Sequence, residues 1–409
     1  TVKKIYSLLL MLLYIFGFII MCIILFFVYI RIRYRFWSVQ PVFHFYDMYY
    51  WFVNKGIIRE ELPQKNRYIN FKNIKTNTMV STSNALTTQL TAFIRLHYLR
   101  NKGNTFSPKK ENILPYFIGH NSKSFLSIYW NPEILIDQKT GKTIEENSIV
   151  GVMTSRPLHV KINNGRKDAS FDVYYVDYLC VHKFWRRKNI APQIIQTHEY
   201  NQSHENRKIC VSLFKREEEL TGIIPLTVYK TVCFHMRSWN QPPTLDAKFT
   251  VLTADKQNMY YFYNFINETT NKWDINILPE ISNLIELVNT KNMYIKMIVL
   301  DGEIIAAYVF RKTCTFIEKD KEVISCIASI NGPILTNQEF IHGFKVALWS
   351  IKKDSNNFQY LAIEDLSDNR CIIDNISIKT WPTIVSPTAY FFYNFAYSPF
   401  KSEKCLILN

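Results

Sequence analysis

From Ile5 to Ile30 the chain reads IYSLLLMLLYIFGFIIMCIILFFVYI without a single charge. As a helix rising about 1.5 Å per residue, this stretch exceeds the ~30 Å hydrocarbon core of a bilayer. The pattern predicts a transmembrane helix over residues 5–30. A cleaved signal peptide fits less well, since its apolar region is about 7–15 residues long and runs into small residues. Lys3 and Lys4 flank one end and Arg31, Arg33 and Arg35 the other, which tilts the orientation toward a cytoplasmic carboxyl side. No second apolar stretch of this length follows, so the remainder is expected to be a globular body tethered to one membrane face.

Beyond residue 38 the pattern changes. Residues 38–85 mix aromatics with polar runs and read as an extended connector. ALTTQLTAFIRLHYL, from Ala85, places apolar residues at helical spacing after the candidate cap Ser83. SIVGVMTSRPLHVKI and FDVYYVDYLCV read as adjacent strands joined by a turn at NNGRK. APQIIQTHEYNQS reads as a helix with Pro192 in its first turn, and ICVSLF as a strand. In the second half, NMYIKMIVLDGEIIAAYVFRK predicts a hairpin through Asp301-Gly302, EVISCIASING a strand, and NQEFIHGFKVALWSIKK a helix. FQYLAIEDL and AYFFYNFAY predict later strands. Each half thus offers hairpin, strand, helix and strand in the same rough order, a faint structural repeat.

Composition narrows the chemistry. At 48% hydrophobic over 409 residues a sizeable core is expected. The excess of 49 basic over 34 acidic side chains suggests a negatively charged partner: nucleic acid, an anionic membrane or a phosphorylated ligand. With 11 glycines in the chain, Gly-rich phosphate loops are disfavoured. The 8 cysteines form no CxxC pair, so reduced thiols in a cytosolic body are expected. Sequons at Asn201, Asn267 and Asn375 would risk glycosylation in a lumen and favour the same side. Histidines show no ligand spacing and no GxSxG elbow occurs, so neither a metal site nor a serine hydrolase is expected. No helix-reading motif or aromatic stacking sheet points to nucleic acid.

The segment YVDYLCVHKFWRRKNIAPQII, residues 175–195, sets a basic cluster between a strand and a helix start. A helix start exposes backbone N–H groups and partial positive charge; Arg186, Arg187 and Lys188 add full charges. A pyrophosphate suits this arrangement, and a plain solvated turn is the alternative. Walker and Rossmann phosphate sites need glycines that are missing here. The acyl-CoA loop of the N-acetyltransferase superfamily remains, with Ala191 where the backbone must approach closely.

The same residues carry a specific resemblance. VDYLCVHKFWRRKNIAP resembles the INFLCVHK-x-LRSKR-x-AP signature of the N-myristoyltransferases, and RYRFWSVQPV (33–42) resembles their Y-x-FW-x-TQPV segment. SIVGVMTSRP resembles LVGFISAIP, CFHMRSWN resembles RYWHRSLN, ASING resembles YSFYN, FFYNFAY resembles YYLYNW, and the final CLILN resembles VGLVLQ. The matches fall in family order from about residue 33 to residue 409. The resemblance implies an α/β mixed-sheet fold of two fused N-acetyltransferase-like halves with pseudo-twofold symmetry. The expected organisation is an anchor at 1–32, an acyl-CoA-binding half at 33–240 and a peptide-binding half at 241–409.

The activity implied is transfer of myristoyl from myristoyl-CoA to the N-terminal glycine of protein substrates, by a membrane-bound monomer. An acyltransferase with another chain or acceptor, or a non-catalytic homologue, is the alternative. Carried over by motif, Tyr34, Arg35, Phe36 and Trp37 would line the acyl-CoA; Tyr178, Leu179, Cys180 and Val181 would run beside the thioester. Arg186, Arg187, Lys188, Asn189, Ile190 and Ala191 would hold the pyrophosphate. Backbone N–H groups at Tyr178 and Leu179 would bind the oxyanion, and the α-carboxylate of Asn409 would be the base. Tyr98, Phe106, Asp177, Thr221, His235 and Ser329 would meet the peptide.

The departures matter too. RNKGN (100–104) stands where the family has EDDDN, and IVSPTA (384–389) where it has a GDGNLQ loop. This charge reversal predicts an altered peptide preference. Asp177 replaces an Asn, and His235-Met236 replaces Trp-His.

Overall fold

The structure, a computed structural model, describes residues 2–99, 103–136, 143–163, 168–217, 222–318, 320–355 and 357–409. Residues 1–42 and 43–409 form two separate units. In the first, helix α1 (Val2–Arg33) is apolar over residues 5–30 and exposed there except at Ile30, and by length and composition it suffices to cross a bilayer. It ends in a turn in which the Ser38 N–H donates to the Tyr34 carbonyl, and the Phe36 and Trp37 rings meet edge to face at 5.1 Å.

The second unit is built on one large mixed sheet. Edge strand β1 (Ile74–Thr78) lies within the predicted connector, which is therefore shorter than the polar residues suggested. Helix α2 (Asn84–His97) starts as its sequence predicts, the Ser83 hydroxyl accepting from the Leu86 N–H. Strands β2 (Phe125–Ile136), β3 (Thr143–Ile162) and β4 (Ala169–Val181) form an antiparallel meander. Of these, β2 was not legible: Asn131-Pro132 interrupts its alternation, and it survives as a strand through its pairing with β3. Helix α3 (Ile190–Glu205) then crosses over to β5 (Ser212–Glu217), parallel to β4, and β6 (Thr227–His235) follows.

The second half repeats this plan. After helix α4 (Met259–Thr269), β7 (Ile275–Leu278) and helix α5 (Ile281–Asn289) comes the hairpin β8 (Met293–Leu300) and β9 (Glu303–Ile317), turning at Asp301-Gly302. Strand β10 (Lys321–Asn331), helix α6 (Asn337–Asp354) and β11 (Phe358–Glu364) form the second parallel crossover. Helix α7 (Asn369–Lys379), β12 (Ile384–Tyr393) and β13 (Cys405–Ile407) complete the chain.

The main path through the sheet runs β13-β7-β3-β4-β5-β12-β6-β11-β10-β9-β8 and ends on a further strand, Phe249–Thr253, antiparallel to β8. Its centre is exchanged: β12 pairs with β5 of the first half, and β6 pairs with β11 of the second. Residues 384–389, read as the counterpart of a loop, are strand. Pro387 is tolerated because β5 pairing begins only at Thr388, so its missing N–H faces no partner there.

Candidate active site

Strand β4 holds the first element of the site. Val152 pairs with Cys180 and Thr154 with Asp177, so Met153 alone opposes both Tyr178 and Leu179. This is a β-bulge, and Tyr178 takes a left-handed conformation at φ 47°. Bulges withdraw backbone from the ladder and re-aim it. On the other side, β5 pairs β4 only at Tyr174 and Tyr175. The two parallel strands therefore part just before the bulge, leaving its edge open in the sheet.

Downstream, the chain turns through Lys183–Trp185 and enters α3 at Asn189, with Arg187 and Asn189 both left-handed (φ 65° and 60°). No side chain caps α3, so its first N–H groups remain for an anion. Arg187 is exposed, with no side-chain partner among the described residues. Arg186 is instead a brace, its Nε donating to the Val181 carbonyl at 3.2 Å and Nη2 to the His97 carbonyl at 2.8 Å. Lys188 lies 4.5 Å from the Trp185 ring centroid. Beside this turn a cleft of 480 Å³ is lined by Phe93, Leu96, His97, Ile149, His182 and Trp185, among others. Gly151 lets α3 seat on β3, since a Cβ there would lie 2.5 Å from Ile194 Cδ1.

The aromatic residues expected at the peptide do converge. Tyr98 lies 5.5 Å from both Phe106 and Tyr178, and Phe117 lies 6.4 Å from Tyr178, centroid to centroid. Burial, then the Asp177 charge, raises the Tyr98 and Tyr178 hydroxyls far above their ordinary range. Burial also pushes the Cys180 thiol up to about 12, against the pull of Arg186. That thiol is no nucleophile at neutral pH.

Asn409 is buried at 1% exposure, and its backbone oxygen accepts from Arg311 Nη1 at 3.2 Å. Leu406 and Leu408 share one apolar cluster with Cys180, against which Tyr98 and Tyr178 also pack. Around Arg311 lies a buried polar group: Glu364 accepts from Lys215 at 2.9 Å and from the Tyr229 hydroxyl at 2.6 Å, with Arg311 Nη2 at 3.7 Å. Burial alone would raise the Glu364 carboxyl, yet Lys215, Arg311 and Tyr229 hold it below its ordinary range.

Asp177 is already paired: Arg156 Nε donates to its Oδ2 at 3.1 Å. Reading the sequence missed Arg156, although a lone arginine on the inward parity of an apolar strand was the available signal. His235 stacks on Tyr360 at the end of β6, and Ser329 lies in β10 with its backbone N–H donating to Ser367 Oγ. Tyr34, Arg35, Phe36 and Trp37 belong to the separate first unit, and Thr221 and residues 100–102 lie outside the described residues.

Two parallel crossovers, a bulge in the strand before the first and an uncapped helix start after it define a tandem acetyltransferase-like fold. The solved fold of a tandem GNAT protein from the clavulanic acid biosynthesis pathway is similar (TM-score 0.51, 9% identity), covering 80% of this chain and 100% of that one. Closer in shape is Saccharomyces cerevisiae N-myristoyltransferase with bound myristoyl-CoA. One such structure gives a TM-score of 0.66 at 12% identity over 90% of this chain and 94% of that one. Another gives 0.67 at 13% identity over 90% of each. Residues 59–224 match the family model described as Myristoyl-CoA:protein N-myristoyltransferase, N-terminal domain. Over that segment the chain is similar to the N-myristoyltransferase family. No curated protein sequence matches it.

Proposed function

We propose that the protein transfers a myristoyl group from myristoyl-CoA to the N-terminal glycine amine of protein substrates, with a peptide preference of its own. The observation that carries this reading is the Tyr178–Leu179 bulge, opened on one side by the parting of β4 and β5 and followed by an uncapped basic helix start. These supply the two things an acyl-CoA needs: anion donors for the pyrophosphate and re-aimed backbone for the thioester oxygen.

In the reaction, the amine nitrogen bonds to the thioester carbon, the C–S bond breaks and CoA leaves as thiol. Backbone N–H groups of Tyr178 and Leu179 hold the oxyanion, and Arg187 with the α3 start holds the pyrophosphate. The substrate ammonium first gives one proton to the α-carboxylate of Asn409, and the second proton, lost from nitrogen on acylation, goes to the departing CoA sulfur. Charge supports that assignment: Arg156, Arg311 and Lys215 face Asp177 and Glu364, and a carboxylate at Asn409 brings this buried set to neutrality. We assign α1 to the membrane as a single-pass anchor, with the body on the cytoplasmic face.

The test is mass spectrometry of a glycine-initiated peptide incubated with the purified chain and acyl-CoAs of several lengths. Myristoyl transfer is expected; preference for another chain length favours the related acyltransferase. Extending the chain past Asn409 by two residues is expected to abolish turnover, and unchanged turnover would remove the carboxylate from the mechanism. A strong preference for Lys over Glu downstream of the glycine would refute the altered peptide preference.

A further inference from the structure

We infer that Arg156 is a positioning residue of the acyl-transfer site, acting by cancelling the charge of Asp177 next to the Tyr178–Leu179 bulge. The inference rests on the acyl-transfer reading above.

Asp177 is the last residue of β4 in register before the bulge, and β3 holds it at both ends. Thr154 Oγ1 donates to its carbonyl at 3.0 Å, and Arg156 Nε donates to its carboxylate at 3.1 Å. Arg156 is itself 1% exposed, its guanidinium 5.3 Å from the Tyr116 ring centroid and 5.2 Å from that of Tyr175. A guanidinium so enclosed cannot swing away to solvent, so its placement fixes the carboxylate and, through it, the start of the bulge.

The titratable groups facing Asp177 are Arg156 from β3, Tyr175 and Tyr178 from its own strand, Tyr98 from the end of α2 and Tyr116 from the turn before β2. Burial raises all four phenols, so they stay neutral at working pH. Among the described residues Arg156 is the one cation in contact with Asp177. Without it, a carboxylate would sit one residue from the backbone that must receive a developing oxyanion, and like charges at that range oppose the transition state. The family segments quoted above carry Asn at the position of Asp177 and Ile at that of Arg156. Two touching positions have thus departed together with opposite charge, as compensation requires. Arg156 Nη1 is buried with no hydrogen-bond partner among the described residues.

The experiment is a double-mutant cycle on the full chain: R156M, D177N and R156M/D177N, with kcat, KM for acyl-CoA and a pH profile for each. R156M is expected to lose about a hundredfold in kcat at about pH 8, with KM for acyl-CoA within about twofold of wild type. The loss should fall on kcat rather than KM, a split that simple loss of packing would not give. The double variant should return to within about fivefold of wild type. Wild-type kcat in R156M, or a double variant no faster than either single one, would overturn the inference. If R156M does not fold, the double variant against D177N decides: faster turnover in the double supports the pairing, and equal or slower turnover overturns it. A wild-type chain that transfers no acyl group would instead sink the underlying reading, and this inference with it.

Discussion

The two crossover helices occupy equivalent places in the two halves and differ at every point that matters for a ligand. Helix α3 starts with no side-chain cap, at a left-handed Asn189 preceded by Arg186, Arg187 and Lys188. Helix α6 closes its own start: Thr336 Oγ1 accepts from the Glu339 N–H, and the Glu339 carboxylate accepts from the Thr336 N–H at 3.0 Å. The segment joining β10 to α6, NGPILT, has no basic residue. Past the bulge at Ile327, the Asn331 N–H already donates to the Asp368 carboxylate at 2.7 Å. The buried faces differ as well. That of α6 is Phe340, Phe344, Ala347, Leu348 and Ile351, whereas that of α3 includes Gln196, His198, Glu199 and Gln202. Both halves keep the fold's geometry, but in the second a protein carboxylate stands where an anionic ligand would.

Breaking this contrast should cost most at α3. R187E with K188E is expected to weaken acyl-CoA binding by about a hundredfold or more in calorimetry; a smaller loss than that of any random surface pair would remove the anion site. At the seam between the halves, E364Q strands Lys215 and Arg311. Chemical denaturation should show about 3–5 kcal/mol of lost stability.

The polar face of α3 should leave a pH signature that α6 lacks. Burial pushes the Glu199 carboxyl up to about 7, against hydrogen bonds from Ser203 and Ser212. The folded state keeps a proton that the unfolded chain releases near pH 4.5, so stability is fully present below that pH and falls as pH rises toward about 7. The fall is up to about 3 kcal/mol, and E199Q should flatten it in melts across that range. Smallest is the cap: T336A should cost about 1 kcal/mol of stability and leave acyl-CoA affinity unchanged. A weakened affinity would mean that the second helix start is not closed to ligand after all.

Much of this was legible in the residues. The hairpin at Asp301-Gly302, the cap at Ser83, the helix start near Ala191 and the basic turn all follow from local rules of turn, cap and charge, and the structure keeps them. What escaped depends on distant partners. Strand β2 exists because β3 pairs with it, and β12 begins at Ile384, well before its apolar run, because β6 lies alongside. The pairing of Arg156 with Asp177 joins residues facing each other across a hairpin whose register the sequence did not specify.

The exchange of β12 and β6 also sets a schedule for synthesis. Strand β5 ends at Glu217 and cannot gain its neighbour until the chain has been made through Tyr393, which supplies β12. On a ribosome the first half must therefore wait, with an open sheet edge, for most of the second to emerge. Such long-range closure is slow, and unpaired edges invite wrong partners. A nascent body of this design needs shielding until translation is nearly done, and one truncated before residue 384 is expected to aggregate rather than fold as a half.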